Sequence, residues 1–245
     1  MSRYFGLDGC PGGWVLVGVE ADKMLPPVFL EAFAEALKHI RGATLVFVDI
    51  PIGLAGAPQG QRACDAAARK ALKARGRSVF PAPLRELLAL PPATPHRLVS
   101  DYQRRLSGRG LPAQAYHLLP KIREVDAALR ADPGLQNWVR ESHPELCFAA
   151  LNGGEPMRYP KRTPEGCAER VELLRRYLPR LHAVLTGLPR RRRHGYAADD
   201  VLDALALAVN ARLGGEGGLA VLPATGEERD ACGLRMEIVT ARRQG

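Results

Sequence analysis

The sequence is poor in cysteine, and the few it has are not grouped. Cys10, Cys64, Cys147, Cys167 and Cys232 are odd in number, widely scattered and never spaced as CxxC. That argues against a thiolate zinc site and against a disulfide scaffold. No apolar run approaches the ~20 residues that a membrane-crossing helix needs, so no membrane partner is expected. The opening segment Met1-Ser2-Arg3-Tyr4-Phe5-Gly6-Leu7-Asp8 puts a carboxylate where an export signal requires its apolar stretch. The cytoplasm is therefore the expected location. There is no Walker A sequence, no internal repeat and no low-complexity segment. Acid is also in deficit: 26 Asp and Glu stand against 35 Lys and Arg, for a net charge of +9. A basic surface favours polyanions such as nucleic acid or anionic membrane. Arginine used simply as a solubilising residue gives the same excess.

The chain has 245 residues, 46% hydrophobic and 25% charged, as expected of a globular protein with a substantial core. Its first fifty residues read as β-rich. Tyr4–Asp8 and Trp14–Glu20 are strands joined by the turn Cys10-Pro11-Gly12-Gly13, with a third strand in Pro27–Leu30. Glu31–Ile40 has helical spacing, and Thr44–Ile50 reads as a strand covered on both faces. The region from about 55 to 137 is Arg- and Ala-rich. It predicts helices at Gln61–Arg75 and Tyr116–Arg130, the latter with Pro120 near its start. It reads as an insertion packed on a single domain spanning 1–245. Trp138–Glu141 predicts another strand. Thr163-Pro164 suits the start of a helix through Tyr177, and Tyr196–Leu213 a helix closed by Gly214-Gly215. Leu219–Leu222 and Met236–Thr240 read as closing strands.

The carboxylates carry the chemistry. In Ala197–Val209 the helix is apolar on every face except for Asp199, Asp200 and Asp203. Such a helix is normally buried, and a buried carboxylate must be protonated, paired or bound to metal. Asp199 and Asp200 also suit a helix N-terminus, whereas Asp203 lies deeper. Asp200 and Asp203 are neighbours on the helix surface. Asp8 and Asp49 each end an apolar strand, and ligands collect at strand ends in open sheets. Either one alone could be a turn-forming residue. Glu145, in His143-Pro144-Glu145, is a further catalytic candidate with His143 beside it, although Pro144-Glu145 equally suits the first turn of a helix. Converging carboxylates without a Cys or His cluster select Mg²⁺ or Mn²⁺. Two such ions can activate water and stabilise the leaving oxygen of a phosphodiester.

Basic residues offer weaker signals. Arg62, Asp65, Arg69 and Lys73 share a helical face that could grip phosphate or be a solvated, salt-bridged surface, and Lys121 and Glu124 are similarly open. The block Arg190–Arg193 precedes the acidic helix and could contact a nucleic-acid backbone. Trp14 and Trp138 read as core residues.

Seven segments together resemble a prokaryotic domain-of-unknown-function family whose members are described as predicted ribonuclease H-like nucleases. They are Gly6–Trp14, Val48–Leu54, Arg62–Asp65, Ser78–Pro83, Lys121–Asp126, His143–Leu146 and Asp199–Ala204. The resemblance implies an α/β, ribonuclease H-like fold: a mixed five-stranded sheet flanked by helices, with a large mainly helical insertion after the fourth strand. It implies a metal-dependent nuclease, with Asp8 matching the acid of the first strand and Asp49 that of the fourth. Asp200 and Asp203 match the acids of a late helix, where Asp200–Leu205 resembles the DxxDA pattern of Holliday-junction resolvases. Asp8, Asp49, Asp200 and Asp203 would then ligate metal, with Glu145 assisting. Two other functions compete. Actin-like ATPases and sugar kinases share the ancestral sheet and an Asp before a Gly-rich hairpin, but a second phosphate loop is not evident here. A non-catalytic nucleic-acid-binding module would show strongly salt-dependent binding without cleavage.

Overall fold

Strands form where the apolar runs are densest. The structure is a computed structural model that describes residues 2–179, 181, 195–224 and 227–242. β1 (Tyr4–Cys10) and β2 (Gly13–Glu20) make an antiparallel hairpin, paired from Tyr4↔Val19 to Cys10↔Gly13. Its loop is the dipeptide Pro11-Gly12, with Gly12 at φ 83°, the Pro-then-Gly order of a type II turn. β3 (Lys23–Met24) and β4 (Val28–Leu30) both pair antiparallel with β2. β5 (Leu45–Asp49) runs parallel to β1, and β6 (Val139–Glu141) parallel to β5. The order is therefore β3-β2-β1-β5-β6, with β4 also on β2. The sheet thus has six strands where five were expected, and Asp49 ends the fifth, because the segment after β2 forms two short strands, β3 and β4, on one edge. Val46, Phe47 and Val48 are buried, as the unbroken apolar run of a doubly covered strand requires.

The chain divides into two compact units. The first comprises Met1–Asp49, Asn137–Val221 and Val239–Gly245 and contains this sheet. α1 (Phe33–Ile40) covers one face, with Phe33 against Trp14 at 5.7 Å between ring centroids. Trp14 is wholly buried, a core residue. α5 (Pro144–Leu151), α6 (Pro164–Arg175) and α7 (Ala198–Gly217) belong to the same unit. α7 packs across β1, β2 and β5. Tyr4, Val15, Val17, Leu45 and Phe47 face it and form one core with its apolar side chains. Among the described residues, β7 (Leu219–Leu222) and β8 (Ile238–Ala241) pair only with each other, as a ribbon separate from the main sheet.

The second unit comprises Ile50–Gln136 and Leu222–Ile238. It carries α2 (Ala63–Ala71), α3 (His96–Ser107) and α4 (Ala113–Ala131), with a core including Leu84, Leu87, Val99, Ala115 and Leu119. Asp230 ties its second segment to the first. It accepts from the Leu54 N–H and meets Arg85, which also holds Asp126 at 2.6 Å.

The structure corrects three further expectations from the sequence. Pro120 does not start a helix but lies two turns inside α4. The buried stripe Ala115, Leu119, Ile122, Val125, Leu129 continues past it, and that burial outweighs the ~3 kcal/mol cost of an interior proline. α7 does not stop at Gly214-Gly215 but runs to Gly217, ending at Gly218 with φ 92°. Those two glycines serve close packing: a Cβ on Gly215 would lie 2.6 Å from the Tyr4 ring. The Arg62–Asp65 face is neither solvated nor open, because both residues are buried. Arg62 donates to the carbonyls of Ile52 and Gly53 and pairs with Asp65, which accepts from the Ala82 N–H. Among the described residues, no helix is long and apolar enough to cross a membrane.

Candidate active site

Strand alternation and one glycine build the site. Asp8 and Asp49 are register partners on adjacent parallel strands, so they share a face, and it is the face that α7 covers. Gly6 points the same way, two residues before Asp8. A Cβ there would lie 1.9 Å from the Ala204 carbonyl oxygen and 2.6 Å from the Ala208 nitrogen. No side chain other than hydrogen fits, so α7 rests directly on β1. The contact falls one residue beyond Asp203 and so brings the acidic first turns of α7 to the end of β1. Asp8, Asp200 and Asp203 are all buried, and Asp49 is half-buried.

The electrostatics follow from this crowding. Burial pushes the Asp8 carboxyl well above the usual carboxylate range, and the charges of Asp49, Asp203 and Asp200 add to the shift while Lys161 opposes it. Burial likewise pushes Asp203 up to about 6, with Lys161 opposing and Asp49 and Glu145 reinforcing. Lys161 Nζ stands 2.5 Å from Asp203 Oδ2. Burial favours its neutral form, but Asp203, Asp8 and Asp49 outweigh that and hold the ammonium above its ordinary range. Asp200 also caps the start of α7, where its Oδ2 accepts from the Ala197 N–H at 2.8 Å.

Glu145 and His143 take local roles. The His143 ring nitrogen accepts from the Glu145 N–H at 3.2 Å, which makes it the N-cap of α5. Glu145 lies in the first turn, and its Oε1 meets Arg170 Nη2 at 2.5 Å. Its Oε2 is buried without a hydrogen-bond partner. Arg170 is 1% exposed, lies over the Phe148 ring and donates to the carbonyls of Tyr159 and Gly166. Glu169 accepts from the N–H groups of Arg158 and Tyr159. Thr163 caps α6 through the Gly166 N–H, as Thr163-Pro164 predicts. The loop 158–163 is thus fastened to α6 at several points, and its fastening delivers Lys161 to Asp203.

A family model described as "Protein of unknown function (DUF429)" matches residues 6–228. The chain belongs to the DUF429 family. The matched span takes in every acid of the cluster and Lys161. No curated protein and no solved structure matches.

In this DUF429 protein the fold brings four predicted site residues, Asp8, Asp49, Asp200 and Asp203, to one place. Glu145 stands close enough for its charge to raise Asp203 but is engaged by Arg170. Arg190–Arg193 lie outside the described residues. Among the described residues, no three His, Cys, Asp or Glu side chains form a ready cage for a metal ion. The donor set is nevertheless all carboxylate oxygen, and several buried anions face one ammonium. That chemistry fits a hard divalent cation. Sequence reasoning missed Gly6, Lys161 and Arg170. Only Gly6 left a local trace, as a glycine within an apolar strand, which often marks a close approach of another backbone.

Proposed function

We propose that this protein is a divalent-cation-dependent phosphodiesterase acting on nucleic acid, built on a ribonuclease H-like sheet. The observation that carries this is the pairing of Asp8 with Asp49 on adjacent parallel strands, with Asp203 and Asp200 brought close to them through the Gly6 contact. The strand order supports the fold reading. β2 and β1 are antiparallel, β3 and β4 together take the outer place beside β2, and β5 and β6 follow in parallel. The positions of the acids, on the first strand, on the next parallel strand and on a late helix, agree with the resemblance.

Asp8, Asp49, Asp200 and Asp203 would hold Mg²⁺ or Mn²⁺. When bound, such an ion lowers the pKa of water and offsets negative charge on a phosphoryl group. The chain's own residues do the rest. The buried aspartates create an anionic site that demands a cation. The loop 158–163, whose Lys161 meets Asp203, presents exposed Arg162 and an exposed Tyr159 beneath Arg158. A guanidinium there binds phosphate, and an exposed aromatic ring offers a surface for a base. The net charge of +9 favours approach of a polyanion.

The test is a cleavage panel of labelled single-stranded, duplex, hybrid and branched nucleic acids, with Mg²⁺, Mn²⁺ or chelator. The expected result is cleavage that needs the metal and is lost in Asp8→Asn. No cleavage, together with thermal stabilisation by ATP, would move the protein to phosphoryl transfer. Salt-sensitive binding without cleavage would make it a binding module.

A further inference from the structure

Lys161 occupies the acid cluster itself. Its ammonium is 2.5 Å from Asp203 and feels the charges of Asp203, Asp8 and Asp49 together, the place where the two-ion expectation would put a second cation. It is not a wandering surface lysine. Pro160 packs so tightly on the start of α6 that a Cβ on Gly166 would lie 1.9 Å from the Pro160 carbonyl oxygen. Arg170, held by Glu145, anchors Tyr159, and Glu169 anchors the backbone of residues 158 and 159. The backbone on both sides of Lys161 is therefore fixed, and the lysine stem reaches the cluster from a rigid base.

We infer that Lys161 permanently takes the place of one of the two divalent cations, so that the site binds a single Mg²⁺ or Mn²⁺ between Asp8 and Asp49. This rests on the proposed function and sharpens it, replacing the two-ion expectation with one ion and one ammonium. The division of donors agrees. Asp203 is taken by Lys161, and one Asp200 oxygen caps α7. Asp8 and Asp49, register partners on neighbouring strands, remain as the natural pair for one dication.

The test is Mn²⁺ stoichiometry by equilibrium dialysis and native mass spectrometry, with no substrate and no activity readout. Wild-type protein is expected to bind one Mn²⁺ per chain, Lys161→Ala two and Lys161→Arg one. Circular dichroism on each variant establishes folding, and because the Lys161 side chain is about one-third exposed on a loop, Lys161→Ala is expected to fold. Two ions in wild type, or one in Lys161→Ala, would overturn the inference while leaving a metal-dependent site standing. No Mn²⁺ bound by any of the three proteins would overturn the proposed function as well.

Discussion

Asp8→Asn should make the cation-free protein more stable. The reason is that burial first, and then the like charges around it, disfavour the Asp8 carboxylate. Asp8 and Asp49 are paired across adjacent strands, whose backbones lie ~4.8 Å apart. Two unit charges ~5 Å apart repel by about 3 kcal/mol at an effective dielectric of ~20. Asp49 is half-buried, so solvent screening brings the expected gain to about 1–3 kcal/mol. For a chain of this size that is a rise in Tm of about 2–12 °C. The assay is thermal unfolding in chelator, near pH 7.5, for wild type and Asp8→Asn. Saturating Mn²⁺ should then reverse the order, because a ligand present at ~1,000 times its Kd stabilises the protein that binds it by about 4.1 kcal/mol. The pH dependence has a definite sign. The Asp8 carboxyl is raised in the folded state, so its contribution to stability is full below the ordinary carboxylate pKa and is lost as pH rises. The advantage of the variant should therefore shrink towards pH 4. A variant less stable than wild type in chelator at neutral pH would refute the reasoning, since it would mean that the Asp8 carboxylate is stabilised where it stands.

Other expectations follow from the same geometry. Gly6→Ala drives a methyl into the backbone of α7 and should cost about 3 kcal/mol, read as a fall in Tm, and should weaken Mn²⁺ binding by displacing the helix acids. Normal stability would show that α7 does not rest on β1. Arg170→Ala leaves Glu145 buried without its counter-ion and should cost about 3–5 kcal/mol. Adding Glu145→Gln should recover part of that loss, and no recovery would contradict the pairing. Asp203 should titrate near pH 6 in a carboxyl ¹³C NMR experiment on the cation-free protein. Its raised pKa contributes stability that is full below ~4 and lost as pH rises through about 6. A midpoint below 4 would show that Lys161 outweighs burial.

The parts of the fold that were legible in the sequence are those governed by local pattern. β1, β2, β5 and α1 follow from apolar runs and spacing, and Thr163-Pro164 marks the start of α6 because capping is a local interaction. Asp8 and Asp49 stood out because an acid ending an apolar strand is unusual. Their meeting depended on strand register, which no local signal sets. The boundaries that failed did so where tertiary packing overrode punctuation: Pro120 inside α4, and Gly214-Gly215 inside α7. Lys161 was invisible for a different reason. It is one lysine among many basic residues in a chain of +9, and its place is set by contacts of its loop with α6 and, through Arg170, with Glu145. Glu145 drew attention as an acid beside a histidine, yet its Oε1 is held by an arginine 25 residues further along the chain.

The most direct measurement is an anomalous difference map from Mn²⁺-loaded crystals, with Asp8→Asn crystals treated identically. A metal peak between the carboxylates of Asp8 and Asp49, absent from the variant, is the predicted result. A peak elsewhere, or one that persists unchanged without the Asp8 carboxylate, would contradict the assignment of this cluster as the cation-binding catalytic site.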